Sequence, residues 1–283
     1  SHHITKLLNL LSDILYYREI DTSPILTDYH NVFVEEAFRH YLSRKDNKNI
    51  ILLIEYLRIA YLKDVAQDQS NQLLFSIVDT IDTSYIRHHS MRSKKLQSDL
   101  RINKVKEGRL LDTFDYVLAI QKKEQKQFEH LCHKARVLLV SHSVSVKLIN
   151  EAKPHTTFNI GFIGSSMESN VYGVNWFINE VLSQLKDHKI IFNIAGDICK
   201  KIKTPLIEKN RVVLHGFVDK IELFYQQNDL IIAPIFSGGG LKIKTVEALC
   251  YGKALITTSV GSEGLSLTDD AFLFYDNKEQ WII

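Results

Sequence analysis

The 283-residue sequence has little net charge, few cysteines and no long apolar segment. Lys and Arg outnumber Asp and Glu by only 35 to 33, which argues against a general nucleic-acid-binding protein. The three cysteines are odd in number and far apart, so the sequence indicates neither a disulfide framework nor a zinc site. The most apolar stretch, Ile50–Leu62, is interrupted by Glu55 and Arg58, and no run approaches the roughly 20 residues that span a bilayer.

The composition is that of an ordinary globular protein, with 45% hydrophobic and 24% charged residues. The length allows about two domains. No signal peptide is recognisable, so we expect a cytoplasmic location.

Periodicity predicts helices alternating with strands in the first half of the chain. Apolar residues at helical spacing predict amphipathic helices over Ile4–Tyr17 and Asn31–Ser43. A further helix is predicted over 122–134, and residues 83–112 are polar with helical tendency. Short β-branched runs predict buried parallel strands at Ile50–Ile54, Gln72–Asp79, Phe114–Ile120 and Val137–Val140. This alternation indicates a Rossmann-like parallel sheet.

A second series of strands and helices follows an aperiodic stretch, 141–158, that contains Pro154. We therefore predict a first domain at 1–143, a linker at 144–158 and a second domain at 159–283. Its predicted strands are Asn159–Ile163, Lys189–Ala195, Val212–Gly216, Asp229–Ile235, Ala254–Thr258 and Ala271–Tyr275, and its predicted helices are 171–186, 219–227 and 240–251.

The stretch from Ala233 to Thr258 carries the most informative pattern. A buried strand leads to the triple-glycine turn Gly238, Gly239 and Gly240, and a helix follows with Lys242, Lys244 and Glu247. Glycine amides and a helix N-terminus favour an anion. Cations near that end oppose the helix dipole, which indicates a phosphate in front of them. With Glu247 available for sugar hydroxyls, the order of groups matches a pyrophosphate with a ribose attached.

Every glycine motif of the second half follows a predicted strand. The glycines concerned are Gly164, Gly196, Gly216, Gly238–Gly240 and Gly261. Ligands in open α/β sheets bind beyond the carboxyl ends of the strands, so this convergence predicts one ligand site. A lone glycine cluster would instead indicate only a loop and a helix start with solvated lysines.

The segment resembles the donor-nucleotide site of the retaining glycosyltransferases called group 1, or family 4. Gly161–Asn170, Ile194–Asp197, Leu214–Asp219 and Ser259–Gly264 occur in that family's order and spacing. The resemblance covers 159–283 well and the first half weakly. It implies an α/β protein of the GT-B fold, with two Rossmann-like domains whose parallel sheets face across a cleft. The first domain would lack its first strands, and the second would end before the family's final helices.

The resemblance also implies roles for individual residues. Lys242 and Lys244 would act near the donor phosphates, and Glu247 would bind the ribose. The commoner family pattern has a second glutamate, whose position Gly239 takes here. The remaining implied donor-binding residues are Gly164, Ser165, Asn170, Val218, Asp219, Gly238, Gly239, Gly240, Gly261 and Ser262.

Two of these residues have equally simple structural interpretations. Val218 and Asp219 would pack on the nucleobase, or Asp219 would cap the helix after it. Ser165 and Asn170 would face the diphosphate, or Asn170 would be the N-cap of a helix beginning at Val171.

The first half offers a weaker candidate in the stretch from Asp79 to Asp82. The family often has a histidine where this chain has Ile81. Asp82 would bind sugar hydroxyls or polarise the acceptor in a catalytic role, or it would cap the next helix. Arg87 would face the acceptor or a phosphate, and we expect the two histidines after it, His88 and His89, to face solvent.

Residues 87–109 contain eight Lys or Arg and two acids. This excess fits a solvated helix face, or attraction to anionic lipid headgroups or a lipid-linked pyrophosphate. His130, Cys132 and His133 superficially suggest a metal site, but neighbouring lysines and the missing fourth ligand favour a surface helix.

The sequence as a whole predicts a glycosyltransferase. Its expected partners are a nucleotide-diphosphate sugar and a glycan or lipid-linked acceptor, with retention of configuration and with no cofactor or metal. The expected context is bacterial capsule or lipopolysaccharide assembly. Two alternatives are a catalytically weak GT-B subunit that binds a partner transferase, and a nucleotide-sugar epimerase of the same fold.

Overall fold

The computed structural model describes residues 31–43, 49–69, 73–98, 100–149, 156–186, 189–203, 210–265 and 272–282. The chain divides into two compact units. The first comprises Ser1–Tyr85 and Asp99–Ser141, and the second comprises Ile86–Ser98 and His142–Ile283. The helix predicted at Ile4–Tyr17 lies outside the described residues.

The first unit contains one parallel sheet whose strands lie side by side in chain order. Ile54 pairs with Val78 and Val117 with Val137, so apolar side chains of the core are in register on neighbouring strands. Val78, Leu111, Val117 and Phe128 form the centre of its core. The elements are α1 Val32–Ser43, β1 Ile50–Glu55, α2 Leu62–Gln69, β2 Leu73–Asp79, α3 Ser84–Ser93, α4 Lys104–Leu111, β3 Tyr116–Ala119, α5 Lys122–Leu131 and β4 Arg136–Leu139.

The second unit contains a six-stranded parallel sheet in the order β10-β9-β8-β5-β6-β7. Aromatic side chains fill much of its core, with Phe177 and Phe192 4.8 Å apart between ring centroids. The elements are β5 Phe158–Ile163, α6 Glu168–Trp176, β6 Ile190–Ala195, β7 Val212–Gly216, α7 Ile221–Gln227, β8 Leu230–Ala233, α8 Ile243–Cys250, β9 Ala254–Thr257 and β10 Phe272–Phe274. The fold therefore confirms the predicted alternation of parallel strands and helices.

The long helix predicted at 171–186 is wrong in its start and its continuity. The α-helix begins at Glu168, and after Trp176 it widens into a π-helical turn, Phe177–Val181, and a short 3₁₀ turn. Phe177, Ile178 and Val181 are all buried, so the wider turn brings three apolar side chains into the core. Apolar spacing alone does not reveal such a change of pitch.

Residues 86–98 pack with the second unit, although the sequence places them in the predicted first domain. The start of helix α3 remains in the first unit, where the amides of Ser84 and Tyr85 donate to the Glu107 carboxylate at 2.7 Å each. Glu107 is fully buried, and these bonds satisfy donors that a helix N-terminus leaves open. In the predicted linker, the Lys147 amide donates to Cys250 O, so that stretch packs along the end of α8.

Candidate functional site

The strand order of the second sheet reverses between β5 and β8. Strands β6 and β7 continue on one side of β5, whereas β8, β9 and β10 continue on the other. In open α/β sheets, the loops at such a reversal leave adjacent strands toward opposite sides, and ligands bind in the crevice between them. Gly164 follows β5 and the Gly238–Gly240 turn follows β8, so both predicted phosphate-facing loops border this switch point.

Lys244 joins the two sides of the switch point. Its Nζ donates to Asn170 Oδ1 at 2.5 Å, and Asn170 Nδ2 donates to Ser165 O at 2.9 Å. The Lys244 ammonium also lies 5.2 Å from the centroid of the Phe162 ring, a cation–π contact. Asn170 lies inside the first turn of α6, with Met167 at the N-cap position, so its predicted capping role is wrong.

The pKa of Lys244 lies close to neutral pH. Desolvation lowers the pKa of its ammonium to about 7, and the positive charge of Lys242 contributes to that shift. Lys244 is only partly exposed, and Asn170 supplies a dipole rather than a counter-charge. An anion next to Lys244 would favour the protonated form and would reverse this shift.

The glycine turn after β8 is shaped by backbone conformations that favour glycine. Gly238 has φ 125° and Gly240 has φ 75°. Lys242 occupies the N-cap position of α8, and its Nζ donates to Gly239 O at 3.0 Å and to Gly240 O at 2.7 Å. Lys242 thus holds the turn closed, whereas Lys244 lies in the first turn of the helix.

Helix α3 also contacts the glycine turn. The Gly238 amide donates to Ser90 Oγ at 3.1 Å, and Lys94 Nζ lies 5.9 Å from the centroid of the Phe236 ring. Ser90 lies near the end of α3, and Lys94 follows directly after the helix. Part of the basic segment is therefore directed at the candidate site.

Glu247 is held one turn further along α8. The Tyr225 hydroxyl donates to Glu247 Oε2 at 2.9 Å, and the Tyr225 ring stacks on Tyr251 with centroids 4.4 Å apart. Burial raises the pKa of Tyr225, and the charge of Glu247 adds to the effect, so the phenol remains a hydrogen-bond donor. One oxygen of the Glu247 carboxylate is thereby fixed.

The main chain sets the spacing between the two sides of the crevice. A Cβ on Gly173 of α6 would lie 1.7 Å from Pro234 O, so only glycine allows this approach. The next residues of the loop are anchored by Phe236, whose ring lies 4.6 Å from that of Trp176. Beside it, Ser237 is 1% exposed, and its Oγ has no hydrogen-bond partner among the described residues.

Two further predicted glycine loops also make close contacts. A Cβ on Gly196 would lie 2.3 Å from Gly164 O, and the Gly196 amide donates to Gly216 O at 2.7 Å. After β9, a Cβ on Gly261 would lie 2.0 Å from Thr257 Oγ1. Ser262 is buried, and its Oγ donates to Ser259 O, so its side chain supports the loop.

A cavity of about 350 Å³ lies beside the end of β7. Val218 and Asp219 line it, as predicted for a nucleobase site, together with His215, Lys220, Leu223, Phe224 and Gln227. Lys220, and not Asp219, occupies the N-cap position of α7. The alternative role of Asp219 as a helix cap is therefore wrong.

The structure places the other predicted residues on two different units. Asp82 is 6% exposed and lies in the first unit, and Arg87 lies in the second. Ile81 adopts φ 65°, which is rare for a β-branched residue, and its amide donates to Asp79 Oδ1. His89 is exposed as expected, but His88 is 6% exposed, so its predicted solvent-facing position is wrong.

Neither a metal site nor a membrane-spanning helix is found within the described ranges. No group of three or more His, Cys, Asp or Glu side chains there could hold a metal ion, and this includes His130, Cys132 and His133. No helix in the described part of the chain is long and apolar enough to cross a membrane.

Several residues of the site had no signal in the sequence. Tyr225 and Ser90 carry no motif and reach the site only through tertiary contacts. Phe162 lies within the Gly161–Asn170 stretch, which predicted no role for its ring beside Lys244. The one available signal was position, because Ser237 immediately precedes the glycine turn.

Two Rossmann-like units with parallel sheets, and a ligand crevice at a switch point in the second, define the GT-B fold. Solved structures share it. HepE from Anabaena, in complex with UDP and glucose, has a TM-score of 0.61 at 13% identity over 88% of this chain and 68% of that chain. The pneumococcal O-GlcNAc transferase GtfA, in complex with UDP and GlcNAc, has a TM-score of 0.63 at 15% identity over 88% and 50%.

Residues 157–282, which lie in the second unit, match the model of the family "Glycosyl transferases group 1". A curated relative from Klebsiella pneumoniae is described as "Uncharacterized 44.6 kDa protein in cps region". It is 26% identical over 132 residues, which are 43% of this chain and 34% of the relative. The chain therefore spans about a third of the length of that relative.

Proposed function

We propose that the protein is a glycosyltransferase that uses a nucleotide-diphosphate sugar as donor and a glycan or lipid-linked molecule as acceptor. The observation that carries this proposal is Lys244, bound to Asn170 across the switch point. The glycine turn and the N-terminus of α8 lie on one side of it, and Glu247 follows three residues on. This order suits two phosphates followed by a ribose.

The chemistry proposed for the site is stabilisation of the leaving diphosphate. As the bond from the sugar to the diphosphate breaks, negative charge grows on the phosphate oxygens. Lys244, Lys242 and the amides at the start of α8 would balance that charge without a metal or cofactor. We propose that configuration is retained and that Asp82 and Arg87 act on the acceptor side.

The comparisons support the donor class and the cellular context. HepE is described in complex with UDP and glucose, GtfA in complex with UDP and GlcNAc, and the Klebsiella relative lies in a cps region. We propose a role in assembly of a bacterial surface polysaccharide, at the cytoplasmic side of the membrane. Residues 87–109 would supply peripheral contact with anionic lipid.

Ile81 favours a second candidate function. It places an apolar side chain where the family often has a histidine, at a residue with φ 65°. A GT-B subunit that binds nucleotide and supports a partner transferase would tolerate that loss. An epimerase would act on the donor alone, and product analysis distinguishes it.

The test is donor turnover. The full chain is incubated with UDP-glucose or UDP-GlcNAc, and released UDP and sugar products are followed by NMR. We expect slow UDP release without acceptor, lost in Lys244→Met and Glu247→Gln and retained in Lys186→Met, an exposed lysine of the second unit. Nucleotide binding without any turnover would favour the subunit, and the absence of nucleotide binding would refute both.

A further inference from the structure

A chain of buried hydrogen bonds runs from helix α7 to the cavity beside β7. Asn228 Nδ2 donates to Phe224 O at 2.7 Å, and Asn193 Nδ2 donates to Asn228 Oδ1 at 3.0 Å. His215 Nε2 lies 2.9 Å from Asn193 Oδ1. Asn193 is 6% exposed and Asn228 1%, so water does not compete for these bonds.

The direction of this chain is fixed at its inner end. A backbone carbonyl only accepts, so Asn228 must present its amide nitrogen to Phe224 O and its oxygen to Asn193. Asn193 must then donate to Asn228, which leaves its own oxygen facing His215. Gly161 makes the arrangement possible, because a Cβ there would lie 2.7 Å from Asn228 Cγ. His215 Nε2 therefore carries the proton that it donates to Asn193.

The fixed tautomer determines what the other ring nitrogen can do. In a neutral imidazole with its proton on Nε2, Nδ1 is a hydrogen-bond acceptor. Desolvation lowers the pKa of His215 and so favours the neutral ring. Nδ1 has no partner among the described residues, and His215 lines the cavity with Val218 and Asp219. The buried hydrogen bonds thus make Nδ1 of His215 a hydrogen-bond acceptor in the cavity.

We propose that His215 is a specificity-determining residue that selects donor nucleobases with a ring N–H on their hydrogen-bonding edge. Uracil (N3–H) and guanine (N1–H) present such a donor, whereas cytosine and adenine present a lone pair at the corresponding nitrogen. A lone pair facing Nδ1 leaves two acceptors opposed and a polar atom unpaired. This inference rests on the proposed function, and it assigns the nucleobase class that function leaves open.

The experiment measures nucleotide binding to the full chain by isothermal titration calorimetry at pH 7.5. We expect UDP to bind about tenfold more tightly than CDP and than N3-methyl-UDP, in which a methyl group replaces the ring hydrogen. GDP and ADP form the matching purine pair. His215→Phe keeps an aromatic ring beside Phe224, and it should bring the UDP to CDP affinity ratio to about one. His142→Phe, at an exposed histidine of the second unit, should leave the ratio unchanged.

Equal affinity within both nucleotide pairs would overturn the inference, as would an undiminished ratio in His215→Phe. The comparisons of UDP with CDP and of GDP with ADP need no variant, so equal affinity within both pairs overturns the inference even if His215→Phe does not fold. Failure of the proposed function looks different. In that case no nucleoside diphosphate binds, or Lys244→Met and Glu247→Gln bind UDP as the unaltered chain does, and the assignment of His215 falls with it.

Discussion

Both units are built on parallel sheets, yet only the second reverses its strand order among the described residues. Strands β1 to β4 lie in chain order, whereas β5 has β6 on one side and β8 on the other. Both described sheets have loops at their carboxyl ends, but only the second opens a crevice between diverging loops. The strand order thus determines where the candidate site lies, and the side chains there determine what it can bind.

The largest expected effect compares one helical glycine in each unit. A Cβ on Gly173 would lie 1.7 Å from Pro234 O, and one on Gly108 would lie 2.8 Å from Leu131 O. Gly108→Ala should lower the free energy of unfolding by the smaller amount, because its clash is milder and the preference of alanine for a helix interior, up to about 1 kcal/mol, offsets part of it. Gly173→Ala should lower that free energy by about 3 kcal/mol, because a backbone segment must move.

Urea denaturation followed by tryptophan fluorescence measures the effect in the second unit, since Trp176 and Trp281 are the only tryptophans and both lie there. Hydrogen exchange of β3 amides follows the first unit. Similar losses for the two glycines would contradict the claim that the second unit depends on a main-chain contact at its crevice.

The next prediction compares UDP binding after substitution of each of the two lysines near the glycine turn. Lys244→Met removes the ammonium at the switch point, and we expect UDP binding to weaken by about 1.5–3 kcal/mol. Lys242→Met should weaken it less, because Lys242 Nζ donates to the carbonyls of Gly239 and Gly240. Calorimetry measures both, with Lys186→Met as the control. A larger loss for Lys242 than for Lys244 would reverse their assigned roles.

A third effect follows from the pKa of Lys244, which desolvation lowers to about 7 in the ligand-free protein. Bound diphosphate favours the protonated amine and raises that pKa, so binding takes up a proton above pH 7. UDP affinity should therefore fall with rising pH above 7, by up to about tenfold per unit. Calorimetry in buffers of different ionisation enthalpy counts the protons. Proton uptake that persists in Lys244→Met would assign it to another group.

The smallest effect concerns the basic segment, which the two units share. One triple charge reversal changes Arg92, Lys94 and Lys95 in the second unit, and another changes Arg101, Lys104 and Lys106 in the first. Each charge near an anionic surface contributes on the order of 1 kcal/mol. We expect the Arg101 triple to reduce binding to acidic liposomes more, because Lys94 contacts Phe236. Liposome binding that changes neither with salt nor with either charge reversal would indicate that these residues form a solvated surface.

The sequence predicted the sheet elements and the glycine loops because both depend on local patterns. The β-branched runs gave the strands, and the glycines marked turns where φ is positive at Gly238 and Gly240. The sequence also placed Lys242, Lys244 and Glu247 on one helix start, since their spacing is local.

Contacts between distant residues were beyond sequence reasoning. Asn170 and Lys244 are 74 residues apart, and each had a simple local explanation as a cap or a solvated cation. The polar chain from Phe224 to His215 contains two asparagines without any periodic pattern. The failed capping assignments of Asn170 and Asp219 have the same origin, because a cap depends on where the helix starts.

The contact of Gly173 with Pro234 O has a consequence for redesign. The distance between α6 and the loop after β8 is set there by one main chain against another. Substitutions at His215 or around the 350 Å³ cavity change side chains and leave that main-chain contact as it is. We therefore expect that the proposed base preference can be altered by substitution without altering the proposed diphosphate site.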